Sequence, residues 1–204
     1  MTTCHSETAN PQLFFNETEH RYFAGGIELP SVTRVLSSAG LFDYNFLSAE
    51  HREQCLERGR RVHRATEQDD QAGLDEESLD AEILPYIEAW RKFKRDFQFT
   101  PEWIERRVFH PLFRYGGTID RVGRIRNGDQ WLVDLKTGQA PNATRYQTAA
   151  YSACLKHPRT YARRAVELRS DASYHVIAYD AGDYWSDFTV FAAALRAFQK
   201  KEDL

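Results

Sequence analysis

The stretch GGTIDRVGRIRNGDQWLVDLKTG, residues 116–138, determines the fold that we predict for this chain. Two apolar, strand-like runs lie on either side of Asn127-Gly128, a dipeptide typical of tight β-hairpin turns. The first run contains Asp120, and the second ends at Asp134. Because the two acids lie at similar distances from the turn, antiparallel pairing is expected to make them near neighbours across the strands.

Two carboxylates held this close need a positive charge between them, because ionised carboxylates repel each other. Lys136, two residues after Asp134, supplies one such charge, and a divalent metal would supply the rest. Oxygen donors with open positions for water and phosphate suit Mg²⁺ or Mn²⁺. Side chains alternate along a strand, so Thr118 is expected to share a face with Asp120, and Asp134 to share one with Lys136.

The bulk composition is ordinary for a globular protein: 42% of the 204 residues are hydrophobic and 28% are charged. One domain is the expectation for this length. No apolar run approaches the roughly 20 residues of a membrane span, and the N-terminus has no secretory signal pattern. Three widely spaced cysteines, Cys4, Cys55 and Cys154, fit reduced thiols. We therefore expect a cytoplasmic protein with no membrane partner.

Charge is distributed unevenly along the chain. Residues 67–82 hold eight acids and no Lys or Arg, so the remaining residues carry 27 bases against 22 acids, a net charge of +5. We expect the acidic segment to be a solvated loop that leads into a helix. Bases cluster near the two acids, among them Arg60, Arg61 and Arg64. One such cluster is usually a solvated face, but several around one site favour a polyanionic partner.

Local patterns predict the other elements. Gly25-Gly26 between short apolar runs predicts an N-terminal hairpin over residues 12–30. Helical periodicity and capping residues predict helices at about 48–68, 80–97, 142–156 and 191–200, and Ser31 or Thr33 can cap a further short helix. Strands are expected at 103–114, 117–126 and 130–135, with a C-terminal hairpin formed by 172–180 and 183–190 across Ala181-Gly182. This order predicts an α/β fold of mixed α+β type, with a central mixed β-sheet flanked by helices.

The pattern resembles the PD-(D/E)XK nuclease superfamily, and within it the RecB-like and phage-type exonucleases. The core motif is GTID, residues 117–120, followed by VDLKTG, residues 133–138. Asp-x-Lys alone is common by chance. The resemblance is strengthened by further matches in order along the chain: LPSVTRVL at 29–36, RGRRVH at 58–63, Glu105, and QTAAYS at 147–152. It implies one nuclease-like domain over residues 1–204, with its core at about 48–157 and a C-terminal hairpin and helix at 172–200.

The resemblance implies a metal-dependent DNA nuclease, with an exonuclease as the first expectation. It assigns the metal, Mg²⁺ or Mn²⁺, to His63, Asp120, Asp134 and the backbone carbonyl of Leu135. Catalysis falls to Asp120, Asp134 and Lys136, with Lys136 positioning the attacking water for in-line hydrolysis. The supporting residues are Glu105, Gln147 and Tyr151. The candidate nucleic-acid contacts are Arg60, Arg61, Arg64, Thr118 and Thr137.

Several features depart from the family pattern. Ile119, not proline, precedes the first aspartate, and the cysteines that hold an iron–sulfur cluster in some relatives are absent, so no such cluster is expected. No G-x-x-x-x-G-K-[ST] motif occurs, so any motor would be another chain. Replication or recombination proteins are expected as further partners, and a phage-encoded origin fits the subgroup. The sequence makes no prediction of oligomeric state.

Each residue also has a plainer interpretation. A strand aspartate near a base is usually a surface ion pair, and a lone helix histidine such as His63 is usually only hydrogen-bonded. Gln147 and Tyr151 are nearly as well explained as a half-buried polar pair. Two alternative functions therefore stay open: a DNA-binding protein of the same fold that has lost catalysis, and a hydrolase or carbohydrate-binding protein unrelated to nucleic acids.

Overall fold

A five-stranded mixed sheet is the frame of the structure, a computed structural model that describes residues 12–42 and 48–202. The strands are β1 Leu13–Asn16, β2 Arg21–Ala24, β3 Ile27–Leu29, β4 Thr100–His110, β5 Tyr115–Arg124, β6 Gln130–Thr137, β7 Ala162–Leu168 and β8 Tyr174–Tyr179. The helices are α1 Val32–Ser38, α2 Ala49–Asp70, α3 Leu84–Phe97, α4 Thr144–Ala153 and α5 Tyr184–Glu202. Single 3₁₀ turns lie at Glu76–Ser78 and Pro158–Thr160.

The large sheet has the strand order β4-β5-β6-β7-β8. Neighbouring strands are antiparallel except β6 and β7, which are parallel and therefore need a crossover, and α4 supplies it. Helices α1, α4 and α5 pack against one hydrophobic cluster of the sheet, and α2 and α3 pack against the other. The predicted mixed sheet with flanking helices is thus confirmed.

The helices that bracket the large sheet begin where their capping residues allow. Ser48 caps α2 by accepting a hydrogen bond from the His51 N–H at 3.2 Å, as its position in the sequence predicts. Helix α3 begins at Leu84, four residues later than predicted, and this places Pro85 in its first turn, where no hydrogen-bond donor is lost. Its buried side chains include Trp90, which packs on the sheet.

The N-terminal segment forms a three-stranded sheet, one strand more than the predicted hairpin. Gly25 and Gly26 join β2 to β3 with φ angles of 59° and 78°, a conformation that glycine adopts without steric cost. Strand β1 pairs with β2 across a second turn. This small sheet lies against β4 and β5 of the large one. Tyr22 packs over Gly116, where an added Cβ would lie 2.9 Å from the Tyr22 side chain.

The predicted C-terminal hairpin across Ala181-Gly182 is wrong. Strand β8 pairs instead with β7, which was not predicted, and the stretch DYWSDFTV begins helix α5. The stretch is rich in aromatic and β-branched residues, as strands are. Its buried residues nevertheless recur at helical spacing and continue along α5: Tyr184, Phe188, Phe191, Leu195 and Phe198. Packing of this long stripe against α1 and α4 decides for the helix.

The acidic segment is not simply the solvated loop that was expected. Asp69 and Asp70 belong to the last turn of α2, and their side chains are buried. Both pair with Lys94, at 2.9 Å and 2.6 Å, and Asp69 also pairs with Arg91. These acids therefore neutralise bases of the neighbouring helix, because buried charges persist only when they are paired.

Gly117 and Gly59 give a matched test of the packing. A Cβ at Gly117 would lie 2.5 Å from Cε1 of the buried Tyr151 ring, whereas one at Gly59 would lie 3.7 Å from the Thr137 hydroxyl, an ordinary contact. We expect Gly117→Ala to lower the free energy of unfolding by about 1–3 kcal/mol through overpacking. Gly59→Ala should raise it by up to about 1 kcal/mol through helix propensity. Urea denaturation measures both, and equal effects would contradict this packing.

Candidate functional site

The two strand aspartates lie where β5 and β6 separate. The paired register of the two strands ends at Arg121 opposite Val133, and Asp120 and Asp134 are one step further along. Asp120 is 8% exposed and Asp134 only 1%. Instead of continuing the backbone ladder, Asp120 Oδ2 accepts a hydrogen bond from the Leu135 N–H at 2.6 Å. The hairpin thus brings both acids into one buried place, as the spacing predicts.

Helix α2 brings His63 to the same place. Its Nε2 lies 3.2 Å from the Leu135 carbonyl oxygen, to which it donates when protonated. Its Nδ1 lies 3.5 Å from Glu105 Oε1 and 3.7 Å from Asp120 Oδ1. One ligand atom from each of His63, Glu105 and Asp120 lies within 4.8 Å of the others, so these three side chains could hold a metal ion.

Glu105 enters this group through an unusual backbone conformation. It lies in the middle of β4, yet its φ angle is 44°, in the left-handed region that costs a non-glycine residue about 1–3 kcal/mol. Its neighbours pair regularly, Ile104 with Arg121 and Arg106 with Ile119, so Glu105 is the residue that faces Asp120 without pairing to it. The strain is therefore located at the acidic cluster, where residues of this kind collect at functional sites.

Arg121 is a residue of this site to which the sequence pattern assigned no role. An arginine in a cluster of bases is usually solvated, but this side chain is fully buried. Its Nη1 donates to Glu105 Oε1 at 2.9 Å and to the Asp120 carbonyl at 2.6 Å, and its Nη2 to Thr66 at 3.2 Å. Its Nε donates to Asp70 Oδ2 at 2.6 Å. The alternation of apolar and polar residues along the strand was the available signal that Arg121 is buried. It places Arg121 opposite Val133, at a position that faces the core.

Asp134 and Lys136 form the other half of the site. Lys136 Nζ lies 2.5 Å from Asp134 Oδ2 and donates to Gln147 Oε1 at 3.3 Å. Gln147 in turn donates to the Tyr151 hydroxyl at 3.0 Å. Gln147 and Tyr151 are thus tied to the lysine from α4, and Gly117 makes room for the Tyr151 ring.

The electrostatics of the cluster are those of carboxylates crowded together in a buried site. Burial lowers the pKa of His63, but the charges of Asp120 and Glu105 outweigh burial and raise it to about 9. Burial raises the pKa of Asp134 to about 6, with help from the Asp120 charge and against the opposing charge of Lys136. Burial likewise raises the pKa of Asp120. The cluster is therefore short of positive charge at neutral pH, and His63 keeps a proton that offsets the charge of the acids.

The residues present fit a divalent metal. An imidazole nitrogen and carboxylate oxygens are ligands that Mg²⁺-type and Mn²⁺-type sites use. Asp134 Oδ2 pairs with Lys136 Nζ at 2.5 Å, whereas Oδ1, which is also buried, accepts no hydrogen bond from the described residues. A buried carboxylate oxygen without a hydrogen bond is costly unless a cation approaches it. The ligand role predicted for the Leu135 carbonyl stays a prediction; in the structure this oxygen also orients His63.

The predicted nucleic-acid contacts are spread around the site. Thr118 is hydrogen-bonded to the Tyr22 hydroxyl at 2.8 Å, so the small N-terminal sheet supplies a wall of the site that the sequence did not indicate. Arg60 pairs with Glu53 and Glu57 of its own helix, and Arg61 pairs with Asp80 and Glu82. Arg64 is exposed, and Thr137 lies opposite Gly59, which is in the middle of α2. Contact of these five side chains with a nucleic acid stays a prediction.

Comparison with known protein families gives a match that covers more than half of the chain. A family model described as the PD-(D/E)XK nuclease superfamily matches residues 45–181. Among solved structures, the chain is similar to the structure described as LHK-Exo in complex with dAMP, with 15% identity, a TM-score of 0.32, and coverage of 86% of this chain and 93% of that one. No curated protein matches the sequence significantly. No helix in the described ranges is long and apolar enough to cross a membrane.

The raised pKa values predict how cation binding depends on pH. Without a cation, the folded state loses stability as the pH rises from 3.8 to about 6, the range set by the raised pKa of Asp134. It loses stability again as the pH rises from 6.5 to about 9, the range set by the raised pKa of His63. A metal ligand must be deprotonated, so a cation displaces that proton and binds more tightly as the pH rises. The increase in melting temperature caused by Mg²⁺ should therefore grow between about pH 6 and about pH 9.

The control for this prediction is His63→Ala, in which the part of the pH dependence above about pH 6.5 should disappear. Thermal melts followed by circular dichroism, with Mg²⁺ and with chelator, measure both proteins. A Mg²⁺-induced increase that is the same at both ends of the pH range, or that shrinks as the pH rises, would contradict the assignment of His63 as a ligand.

Proposed function

We propose that this chain, which belongs to the PD-(D/E)XK nuclease superfamily, is a divalent-metal-dependent deoxyribonuclease that acts on DNA ends. One observation supports the proposal above others. Side chains from four separate elements converge on one partly buried site: His63 of α2, Glu105 of β4 and Asp120 of β5 lie within ligand distance of one another, and the Asp134–Lys136 pair of β6 lies next to them. Such a cluster is costly for the fold alone and matches the requirements of phosphodiester hydrolysis.

The cation is proposed to be held by His63, Glu105, Asp120 and Asp134. Mg²⁺ or Mn²⁺ bound there would neutralise the scissile phosphate and make a water more acidic. Glu105 extends the ligand set that the sequence predicts, because its carboxylate lies as close to His63 as that of Asp120 does.

Lys136 is proposed to orient the attacking water and to stabilise the negative charge that grows on the phosphate. Two neighbours hold its ammonium group, the Asp134 carboxylate at 2.5 Å and the Gln147 side-chain oxygen at 3.3 Å. These contacts fix a flexible side chain, and the lysine is proposed to act as a charged donor. Tyr151 supports Gln147 from the same helix.

The substrate and the mode of attack rest on different grounds. A nuclease activity follows from the superfamily, whereas DNA as the substrate and attack from chain ends rest on the sequence resemblance to the RecB-like and phage-type exonucleases. The alternative of a DNA-binding protein that has lost catalysis is disfavoured by the complete set of acids and the lysine in one cluster.

Substitution of the catalytic pair tests the mechanism. We expect Asp134→Asn and Lys136→Met each to reduce metal-dependent cleavage by at least about 10²-fold, because the first removes a charged ligand of the cation and the second removes the positive charge that faces the reacting phosphate. Both should keep the circular dichroism spectrum of the parent protein. Lys92→Met, at an exposed position of α3, is the matched control and should cleave normally. Undiminished cleavage by both site variants would remove this assignment.

An oligonucleotide assay tests the substrate class. The protein is incubated with 5′- and 3′-labelled single- and double-stranded DNA and with covalently closed circles, in Mg²⁺, Mn²⁺ or chelator. We expect linear DNA to be degraded from an end only with a metal, and closed circles to survive. Cleavage of closed circles would contradict the exonuclease mode.

The same assay separates the two alternative functions. Salt-dependent DNA binding without any cleavage would support the catalytically inactive DNA-binding protein, because phosphate contacts release counterions. Neither binding nor cleavage of any nucleic acid would support the hydrolase unrelated to nucleic acids.

A further inference from the structure

Arg121 is a buried charge that the proposed reaction does not use directly. Its side chain is fully buried, and so is that of its partner Asp70. Its guanidinium reaches two elements of the metal cluster, Glu105 and the Asp120 backbone, and two residues of helix α2, Thr66 and Asp70. A planar group with five donors in a fixed fork can serve four partners at once, which a lysine cannot do.

We infer that Arg121 is a positioning residue of the metal site, which holds the Glu105 carboxylate and the Asp120 backbone in the arrangement that binds a divalent cation. The inference rests on the proposed function and adds to it a residue that does not touch the cation. Groups behind the ligands of a metal site typically change metal affinity by about 10- to 100-fold when they are removed.

The geometry of Glu105 is the first argument. Glu105 Oε1 is approached from one side by Arg121 Nη1 at 2.9 Å and from the other by His63 Nδ1 at 3.5 Å. The guanidinium therefore fixes the carboxylate that lies next to the imidazole. Since the Glu105 backbone is itself strained, with φ at 44°, a side-chain contact is needed to keep this conformation populated.

The anchoring of Arg121 is the second argument. Its far partner, Asp70, is held in place by Lys94 Nζ at 2.6 Å and by the Trp90 indole N–H at 3.0 Å. The guanidinium also lies 5.7 Å from the centre of the Trp90 ring. Arg121 is thus fixed from behind by α2 and α3, and its position relative to the cluster is set by the core of the protein.

A purely electrostatic role predicts the opposite result and can be separated from positioning. A positive charge 2.9 Å from Glu105 repels a cation, so removal of charge alone would tighten cation binding. Asp70 at 2.6 Å offsets much of this charge. Arg121→Lys keeps the charge and loses the fork, so it isolates positioning, while Arg121→Met removes both.

The experiment measures Mn²⁺ binding to the protein alone, by electron paramagnetic resonance of free Mn²⁺, at a temperature where every variant is folded by circular dichroism. We expect Arg121→Lys to weaken Mn²⁺ binding by about 10-fold or more. Arg124→Lys is the matched control, because Arg124 lies on the same strand, is exposed, and pairs with Glu102 at 2.6 Å outside the cluster; it should bind Mn²⁺ normally. A merely structural role of Arg121 would lower the melting temperature and leave the Kd for Mn²⁺ unchanged.

The outcomes distinguish this inference from the proposed function. If the parent protein binds Mn²⁺ and Arg121→Lys binds it equally well, or if Arg121→Met binds it more tightly, the inference is overturned while the proposed function stands. If the parent protein takes up no Mn²⁺ and cleaves no DNA, the proposed function fails as well. If Arg121→Lys does not fold, Thr66→Val decides, since it removes a neutral partner of the guanidinium and leaves every ligand and every charge in place; weaker Mn²⁺ binding supports the inference, and unchanged binding overturns it.

Discussion

Mutual repulsion among buried carboxylates is the constraint on which the site depends. Asp120 and Asp134 are buried and Glu105, beside Asp120, is only partly exposed, and such a group of acids is stable only if positive charge is brought to it. Within the chain, Lys136 and Arg121 supply this charge from opposite sides of the cluster, and a protonated His63 adds to it. A divalent cation that replaces the histidine proton would satisfy the same requirement. Relief of the repulsion among the carboxylates would then contribute to its binding affinity.

The fold brings the charged side chains of the site together from several different elements. The β5–β6 hairpin brings two of the acids together, β4 adds the third through a strained residue, and α2 adds the imidazole. Helix α4, the crossover between the parallel strands β6 and β7, holds Lys136 through Gln147. The Asp134–Lys136 part of the site therefore faces α4, whereas the part around Arg121 is anchored between α2 and α3.

Local sequence patterns predicted the parts of this arrangement that depend on short-range geometry. The Asn127-Gly128 turn sets the register, so the proximity of the two aspartates could be counted from the sequence. Long-range contacts could not be counted in this way. The stretch DYWSDFTV is compatible with a strand on local propensity and became a helix because its apolar stripe packs against α1 and α4. Arg121 looked like a solvated base because its partners, Glu105 and Asp70, are 16 and 51 residues away.

By itself, the sequence determined the superfamily, the mixed sheet with flanking helices, and the proximity of Asp120 and Asp134, because a tight turn and strand alternation convert spacing directly into proximity. Only the tertiary structure decided that Glu105 lies beside His63 and Asp120, that Arg121 is buried behind them, and that Tyr22 of the N-terminal sheet is hydrogen-bonded to Thr118. The physical reason is that these positions follow from how separate elements pack on one another, and the free energy of burying and pairing charges is set by that packing and by no single segment.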